Sequence, residues 1–182
     1  MTSLQRMTTQ YVEKEDRLCL AGEWEPGQTV VLWLTQRLLW RLLPHLWQWL
    51  EQQTPGLGHS LASTVQADVL QSFAQQAAVA QLEPQAPVAT DAAESGWLIT
   101  SVDVGVGEQG VTLSFKQAPG EGAEASAEVA SVTFEAQPLR QWLSIVLEQW
   151  RRAGWPVSRW PDWMLNRAPV ADADGRSTAL LH

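Results

Sequence analysis

The chain has few of the residues that covalent or metal chemistry requires. Cys19 is the only cysteine among 182 residues, so no internal disulfide can form and no cysteine-based metal cage can be assembled. Histidine is scarce as well, since only His45, His59 and His182 could act as imidazole bases or metal ligands. No His-x-x-His, Cys-x-x-Cys or Glu-x-x-His spacing occurs. We therefore predict that the protein binds no metal, carries no cofactor and is not an enzyme.

Positive charge is missing from the middle of the chain. The sequence has 12 Lys and Arg against 20 Asp and Glu, a formal net charge of -8, and no Lys or Arg occurs from Leu42 to Phe115. A groove for nucleic acid needs clustered cations that displace the counterions of the phosphates. We predict that nucleic acid is not a partner.

Long apolar runs are also missing. The longest apolar-rich stretch, Val30 to Leu50, is interrupted by Arg37, Arg41 and Pro44. A transmembrane helix needs about 20 consecutive, predominantly apolar residues. We expect no membrane partner and a cytoplasmic location.

Tryptophan is the residue type that the chain has in excess. There are 11 Trp beside only 3 Phe and 1 Tyr. Trp is large, rigid and amphipathic, and it is enriched at protein interfaces and in binding hot spots. The composition thus favours a protein that works through contact surfaces.

The residue pattern predicts an α+β fold in the order β-β-β, α-α, β-β-β, α. We expect an antiparallel meander of about three strands, a helical pair, a second group of about three strands and a C-terminal amphipathic helix, in two-layer sheet and helix packing. The predicted strands cover 7–13, 17–24, 29–34, 97–106, 111–116 and 128–135, and the predicted helices cover 36–53, 61–82 and 138–153. Residues 1–165 form one domain, with 83–96 and 117–127 as surface linker or loop and 166–182 as a flexible tail.

The first predicted helix carries two apolar strips. Thr35 is a plausible N-cap, and the leucines that follow it form a broad stripe. Trp40 and Trp47 add a second strip beside the leucines, wider than one core contact needs. We expect this strip to contact a partner protein, a second copy of the chain, or the segment Trp155 to Trp163. Pro44 predicts a kink or a break in the helix.

The segment from Trp155 to Leu165 has two Trp-Pro pairs and three tryptophans. Proline holds such a segment extended and lowers the entropy that is lost on docking. Two interpretations remain open: the segment packs on the protein's own core, or it anchors in a partner. The predicted partner-binding residues are Trp40, Trp47, Trp155, Trp160 and Trp163.

One short stretch resembles the beginning of a hydrolase site. His59 lies beside Ser60, and such a pair begins the Ser–His arrangement of nucleophilic catalysis. No Gly-x-Ser-x-Gly elbow accompanies it, and Gly56, Gly58 and Ser60 together are typical of an exposed turn with a helix cap. A hydrolase using His59 and Ser60 is therefore the least favoured of the functions considered.

The leading function is a non-catalytic adaptor or assembly protein that binds a protein partner through Trp-rich surfaces. In element order alone, the chain resembles the head domains of the scaffold family shared by DNA end-joining factors and centriolar assembly proteins. That resemblance implies a self-associating scaffold, with a homodimer as one form of the partner. The sequence departs from the family because its last helix ends at Gly154, with no long coiled coil after it.

Overall fold

Six strands and four helices make up the part of the chain that the computed structural model describes, which is residues 2–53, 64–89, 96–119 and 127–165. The strands are β1 (Arg6–Val12), β2 (Arg17–Glu25), β3 (Gln28–Leu34), β4 (Trp97–Gly107), β5 (Gly110–Gln117) and β6 (Glu128–Phe134). The helices are α1 (Gln36–Gln53), α2 (Thr64–Ala80), α3 (Ala136–Arg152) and the single turn α4 (Asp162–Leu165). The predicted class and element order are confirmed, with α4 as an addition.

The strands form one mixed sheet in the order β1-β2-β3-β4-β5-β6. Each three-strand group is an antiparallel meander, and the two groups meet where β3 pairs with β4 in parallel, at Leu32 with Trp97 and Trp33 with Leu98. The backbone N–H of Leu4 donates to the carbonyl of Ser131 on β6 at 2.7 Å. The sheet therefore curves until the residues ahead of β1 meet its last strand.

The concave side of the curved sheet holds the main core. Strand residues such as Leu20, Leu32 and Phe115 are fully buried there against leucines of α1 and the apolar face of α3. A smaller apolar cluster lies on the other side of β2 and β3 and contains Cys19, Val31 and Trp33. β3 is thus covered on both faces in its second half, as the β-branched, apolar run predicts. Burial raises the pKa of the Cys19 thiol.

Local signals set the start of α1 and the end of α3. The backbone N–H of Leu38 donates to Thr35 Oγ1 at 3.2 Å, so Thr35 is the predicted N-cap of α1. Gly154 has a φ of +67°, and the N–H groups of Gly154 and Trp155 donate to the carbonyls of Arg151 and Trp150. This is the Schellman arrangement, in which a left-handed glycine closes the helix end.

A kink or a break is predicted at Pro44, and the break is wrong, because α1 is one continuous helix from Gln36 to Gln53 with Pro44 inside it. Pro44 is exposed, while Leu42, Leu43 and Leu46 around it are buried. Packing of these leucines on the sheet holds the helix together, and the missing backbone donor lies on the side that faces water.

The predicted linker follows the outer surface of the sheet where the structure describes it. The N–H of Val88 donates to Thr8 Oγ1 at 2.8 Å, Arg6 Nη2 donates to the carbonyl of Ala86 at 2.9 Å, and Val88 itself is buried. The rest of this linker, most of the 117–127 loop and the 166–182 tail lie outside the described residues. Within the described chain, no helix has the length and apolar content to cross a membrane.

One glycine pattern has a structural explanation. Residues Gly105, Gly107 and Gly110 have the Gly-x-Gly-x-x-Gly spacing of a dinucleotide-binding loop. They lie in the hairpin that joins antiparallel β4 and β5, whereas that loop joins a strand to a helix. Here the three glycines belong to a β-hairpin, in which Gly105 and Gly107 lie on β4 and Gly110 begins β5.

Candidate protein-binding surfaces

A tryptophan cluster lies where α1, α3 and the C-terminal segment meet. Trp150 of α3 is fully buried at its centre, with the ring centroids of Trp40, Trp155 and Trp160 at 5.1, 4.9 and 5.7 Å, all at steep angles. Edge-to-face pairs of this kind are a preferred aromatic geometry. The indole N–H of Trp150 donates to the carbonyl of Pro156 at 3.0 Å. The cluster is both packed and hydrogen-bonded.

The turn after α3 directs the chain back onto this cluster. Gly154 reverses the backbone, and Trp155, the next residue, stacks edge-on against Trp150 in the hydrophobic contact that accompanies a Schellman motif. The Trp155 indole N–H also donates to Asp16 Oδ1 at 3.2 Å, and Tyr11 packs against its ring at 5.7 Å. The hydrogen bond to Asp16 raises the pKa of the Tyr11 hydroxyl.

The five predicted partner-binding tryptophans all contact the protein's own residues. Trp47 packs on Trp160 at 5.2 Å, and Arg159 lies over the half-buried ring of Trp40 at 4.6 Å. The buried members of the set are Trp47, Trp155, Trp160 and Trp163. The Trp40 and Trp47 strip was expected to contact a partner protein, a second copy of the chain or the C-terminal segment, and in the structure it contacts the C-terminal segment. That segment is a turn followed by α4 rather than an extended chain.

The three histidines and Ser60 do not form a described site. His45 is exposed on α1. His59, Ser60 and His182 lie outside the described residues, so the hydrolase hypothesis stays untested. Within the described ranges, no group of three or more His, Cys, Asp or Glu is placed to hold a metal ion.

Helix α2 attaches to α3 through polar side chains. Gln71 and Gln75 are buried, and Gln71 Oε1 accepts a hydrogen bond from the guanidinium of buried Arg140 on α3. Gln75 Nε2 donates to the Arg140 carbonyl at 3.0 Å, and Gln141 Nε2 donates to the carbonyl of Ala78 at 2.9 Å. Burial lowers the pKa of Arg140 to about 10. Hydrogen bonds thus hold the inner face of α2.

The outer face of α2 is apolar and exposed. Val69, Leu70 and Phe73 expose 48%, 41% and 65% of their surface, and Ala77 and Ala80 continue the same stripe toward the helix end. Val69, Phe73, Ala77 and Ala80 are spaced at i, i+4, i+8 and i+11, which places them on one helix face. An amphipathic helix on a globular protein usually buries its apolar stripe. In α2 the arrangement is reversed, because Gln71 and Gln75 face the protein while Val69, Leu70 and Phe73 face the solvent.

A groove runs between α1 and β4. Its wider part, about 650 Å³, lies between His45, Gln48, Trp49 and Gln52 on the helix and residues of β4 as far as Val106. A narrower part of about 160 Å³ adjoins it and is lined by Leu38, Arg41, Leu42, His45, Thr100, Ser101, Val102 and Val104. Both parts share His45, Val102 and Val104, so they form one continuous groove. The combined size falls within the range of about 300–1,000 Å³ that is usual for ligand sites.

Sequence reasoning identified the tryptophans but missed both exposed surfaces. The α2 stripe was visible as Val69, Phe73 and Ala77 at helical spacing, but the pattern does not say which face is buried. The groove depends on the separation of β3 from β4, which no local pattern encodes.

Comparison of the chain with protein-family models, with curated proteins and with solved structures found no match.

Proposed function

We propose that this protein is a non-catalytic adaptor or assembly factor that binds a protein partner, and that the apolar face of α2 is its contact surface. The observation that carries the proposal is the exposure of Phe73, 65%, on a helix whose Gln71 and Gln75 are buried against α3. An exposed aromatic side chain flanked by aliphatic ones is the kind of anchor that dominates protein interfaces. Helix α4, which carries the buried Trp163, packs against α2 and supports this surface from behind.

The geometry of the stripe suits a helix of the partner. Val69, Phe73, Ala77 and Ala80 repeat at intervals of four, four and three residues, which is the spacing by which one helix packs along another. Phe73 projects from a stripe that is otherwise small toward its C-terminal end. A partner helix with a small residue opposite Phe73 and larger ones opposite the alanines would interdigitate with it.

A protein of different sequence fits this face better than a second copy of the chain. The chain carries a net charge of -8, and Asp68 lies beside the stripe while no Lys or Arg occurs in α2. Pairing two copies would bring two acidic molecules together and place Asp68 of each near the contact. A partner helix with basic residues at its rim avoids this repulsion. The self-associating scaffold is the alternative function.

Two alanine variants on one helix test the proposal. Phe73→Ala and Gln76→Ala change exposed residues on the same side of α2 to the same residue, so both preserve the helix. The full-length proteins are used to capture partners from native extract, and a captured partner is then purified and titrated by calorimetry. We expect Phe73→Ala to weaken binding by about 2 kcal/mol, roughly thirtyfold, and Gln76→Ala to change it little.

The outcomes separate the candidate functions. Equal binding by both variants would show that the partner contacts another surface and would contradict the proposal for α2. A concentration-dependent dimer that Phe73→Ala disrupts, without any second protein, would favour the scaffold. Hydrolysis of an ester or peptide substrate that is lost in His59→Ala would favour the hydrolase.

A further inference from the structure

The strand β4 has an edge that the described chain leaves largely unpaired. β3 pairs with β4 only at Trp97 and Leu98, while β4 continues to Gly107 and pairs with β5 along its other edge as far as the hairpin. Among the described residues, no strand pairing and no other backbone hydrogen bond reaches Thr100 to Gly107 from the β3 side. Such an edge presents a row of N–H and C=O groups that can pair with another strand.

The groove beside α1 follows this edge. Consecutive residues Ser101, Val102, Asp103 and Val104 line its two parts. Side chains of consecutive strand residues point to opposite faces of a sheet. Because residues of both faces line the groove, it lies along the edge of β4 rather than over one face.

This edge has few of the features that usually protect one. Natural sheets protect a free edge with Lys or other charged residues, Pro, a β-bulge or a short strand. From Thr100 to Gly107 β4 has no Lys and no Pro, and its one charged side chain, Asp103, pairs with Lys116. A register shift lies between Ile99 and Ser101, at the start of this edge, and β4 is the longest strand of the described sheet at 11 residues. Of its valines on the α1 side, Val102 and Val104 are half-buried, and Val106 exposes 68% of its surface.

We propose that this groove binds an extended peptide segment of a partner protein, which adds a strand to β4. Main-chain hydrogen bonds to Thr100–Gly107 give affinity, and every second side chain of the peptide packs between Trp49 of α1 and the valines Val102, Val104 and Val106. This is the strand-addition mode of peptide recognition, in which alternate side chains enter pockets. The site is separate from the α2 face and does not depend on it.

Charge indicates what one end of the peptide carries. Arg41 lines the narrow part of the groove, is exposed and forms no ion pair with any described residue. Asp103, at the wide part, already pairs with Lys116. An acidic side chain of the peptide would therefore pair with Arg41. The occupant that fits the groove is an apolar, β-branched segment that carries an acidic residue at the Thr100 end.

The test uses the full-length protein and a defined probe. Two acetylated and amidated peptides of alternating Val and Thr, one with glutamate at the N-terminus and one at the C-terminus, cover both strand directions. Titration is followed by amide chemical shifts of the 20.2 kDa protein. We expect saturable shifts confined to residues 100–107 and to the facing side of α1. Arg41→Gln should weaken the better peptide and leave an all-neutral version unchanged.

Two controls distinguish strand pairing from adsorption to an apolar surface. Peptides N-methylated at every second amide come in two complementary sets. In a paired strand only alternate N–H groups of the peptide face β4. The set that methylates those groups should bind at least about tenfold more weakly than the parent peptide, and the other set should bind nearly as tightly as the parent. Val106→Lys should abolish binding, whereas Glu108→Lys, which adds the same residue in the adjoining hairpin, should not.

Several results would overturn the proposal. Shifts that do not saturate, shifts located elsewhere, or equal effects of the two methylated sets would each exclude strand addition. Slow hydrogen exchange in the free protein at those amides of residues 100–107 that point away from β5 would show that another part of the chain, or a second copy if the protection depends on concentration, already covers the edge. Because Phe73→Ala leaves this groove intact, peptide binding by that variant separates this site from the partner contact of α2.

Discussion

Trp150 illustrates how single residues determine the C-terminal part of the molecule. Its side chain is fully buried, and Trp40, Trp155 and Trp160 surround it. Eight of the 11 tryptophans are buried, so the residue type that this chain has in excess is mainly part of the core. Their indole rings contribute apolar area that the few phenylalanines do not supply. Trp97, at 46% exposure, is the tryptophan that water reaches most.

Substitution of Trp47 tests this assignment. Trp47→Ala removes a buried ring from contact with Trp160, so we expect the free energy of unfolding to fall by about 3–5 kcal/mol. Trp97→Ala is the control, and its effect should stay within about 1 kcal/mol because nearly half of the side chain is in water. Urea denaturation followed by far-ultraviolet circular dichroism measures both. A Trp47→Ala protein as stable as the parent would show that this ring lies on a surface.

At the scale of elements, the turn after α3 has the largest consequences. Gly154 adopts a left-handed conformation that a side chain makes unfavourable, and the chain beyond it returns to cover Trp150. The predicted end of the helix at this glycine is confirmed. A helix that stops in this way cannot continue into the coiled coil of the scaffold family that the element order resembles.

A pair of glycine substitutions isolates this conformational requirement. A Cβ at Gly154 meets no atom within 4 Å, so the cost of Gly154→Ala comes from the backbone alone, and we expect about 1–2 kcal/mol of destabilisation. Gly107 has equally open surroundings without a left-handed φ. Gly107→Ala should therefore change the free energy of unfolding by no more than about 0.5 kcal/mol. Equal effects in thermal unfolding would contradict the role given to the φ of Gly154.

At the scale of the whole molecule, the positive charges are dispersed, and six of the 12 are engaged with other groups of the chain. Arg140 is buried, Arg159 lies over Trp40, and four more cations pair with acids, namely Arg6, Arg17, Lys116 and Arg152. With a net charge of -8, the chain repels phosphate backbones at long range. These features agree with the absence of Lys and Arg between Leu42 and Phe115.

Titration with fluorescent DNA and RNA tests the charge argument. At physiological salt we expect no complex tighter than the range of about 10⁻⁴–10⁻⁶ M that is typical of non-specific binding. Fluorescence anisotropy with single- and double-stranded probes measures this, and repeating it at lower salt controls for electrostatic attraction. A nanomolar complex that weakens steeply with salt would contradict the prediction and would strengthen the resemblance to end-joining proteins.

The sequence by itself determined the local elements. Alternating and continuous apolar runs located all six strands to within a few residues. The cap residues Thr35 and Gly154 marked a helix start and a helix end, because capping depends on neighbouring backbone groups alone. The break predicted at Pro44 was wrong because it, too, rested on a local effect alone. The local effect of the proline favours a break, but the burial of the surrounding leucines on the sheet outweighs one lost hydrogen bond.

Only the tertiary structure decided which surfaces are free. The stripe of Phe73 would pack inward on an apolar neighbour, but α3 presents Arg140, whose guanidinium and carbonyl bond the glutamines of α2 and so turn the phenylalanine outward. Trp40 and Trp47 are covered because the turn at Gly154 brings the C-terminal segment to them. The free edge of β4 exists because β3 leaves the sheet early to become α1. Each outcome depends on residues far apart in sequence, and local periodicity carries no information about such pairs.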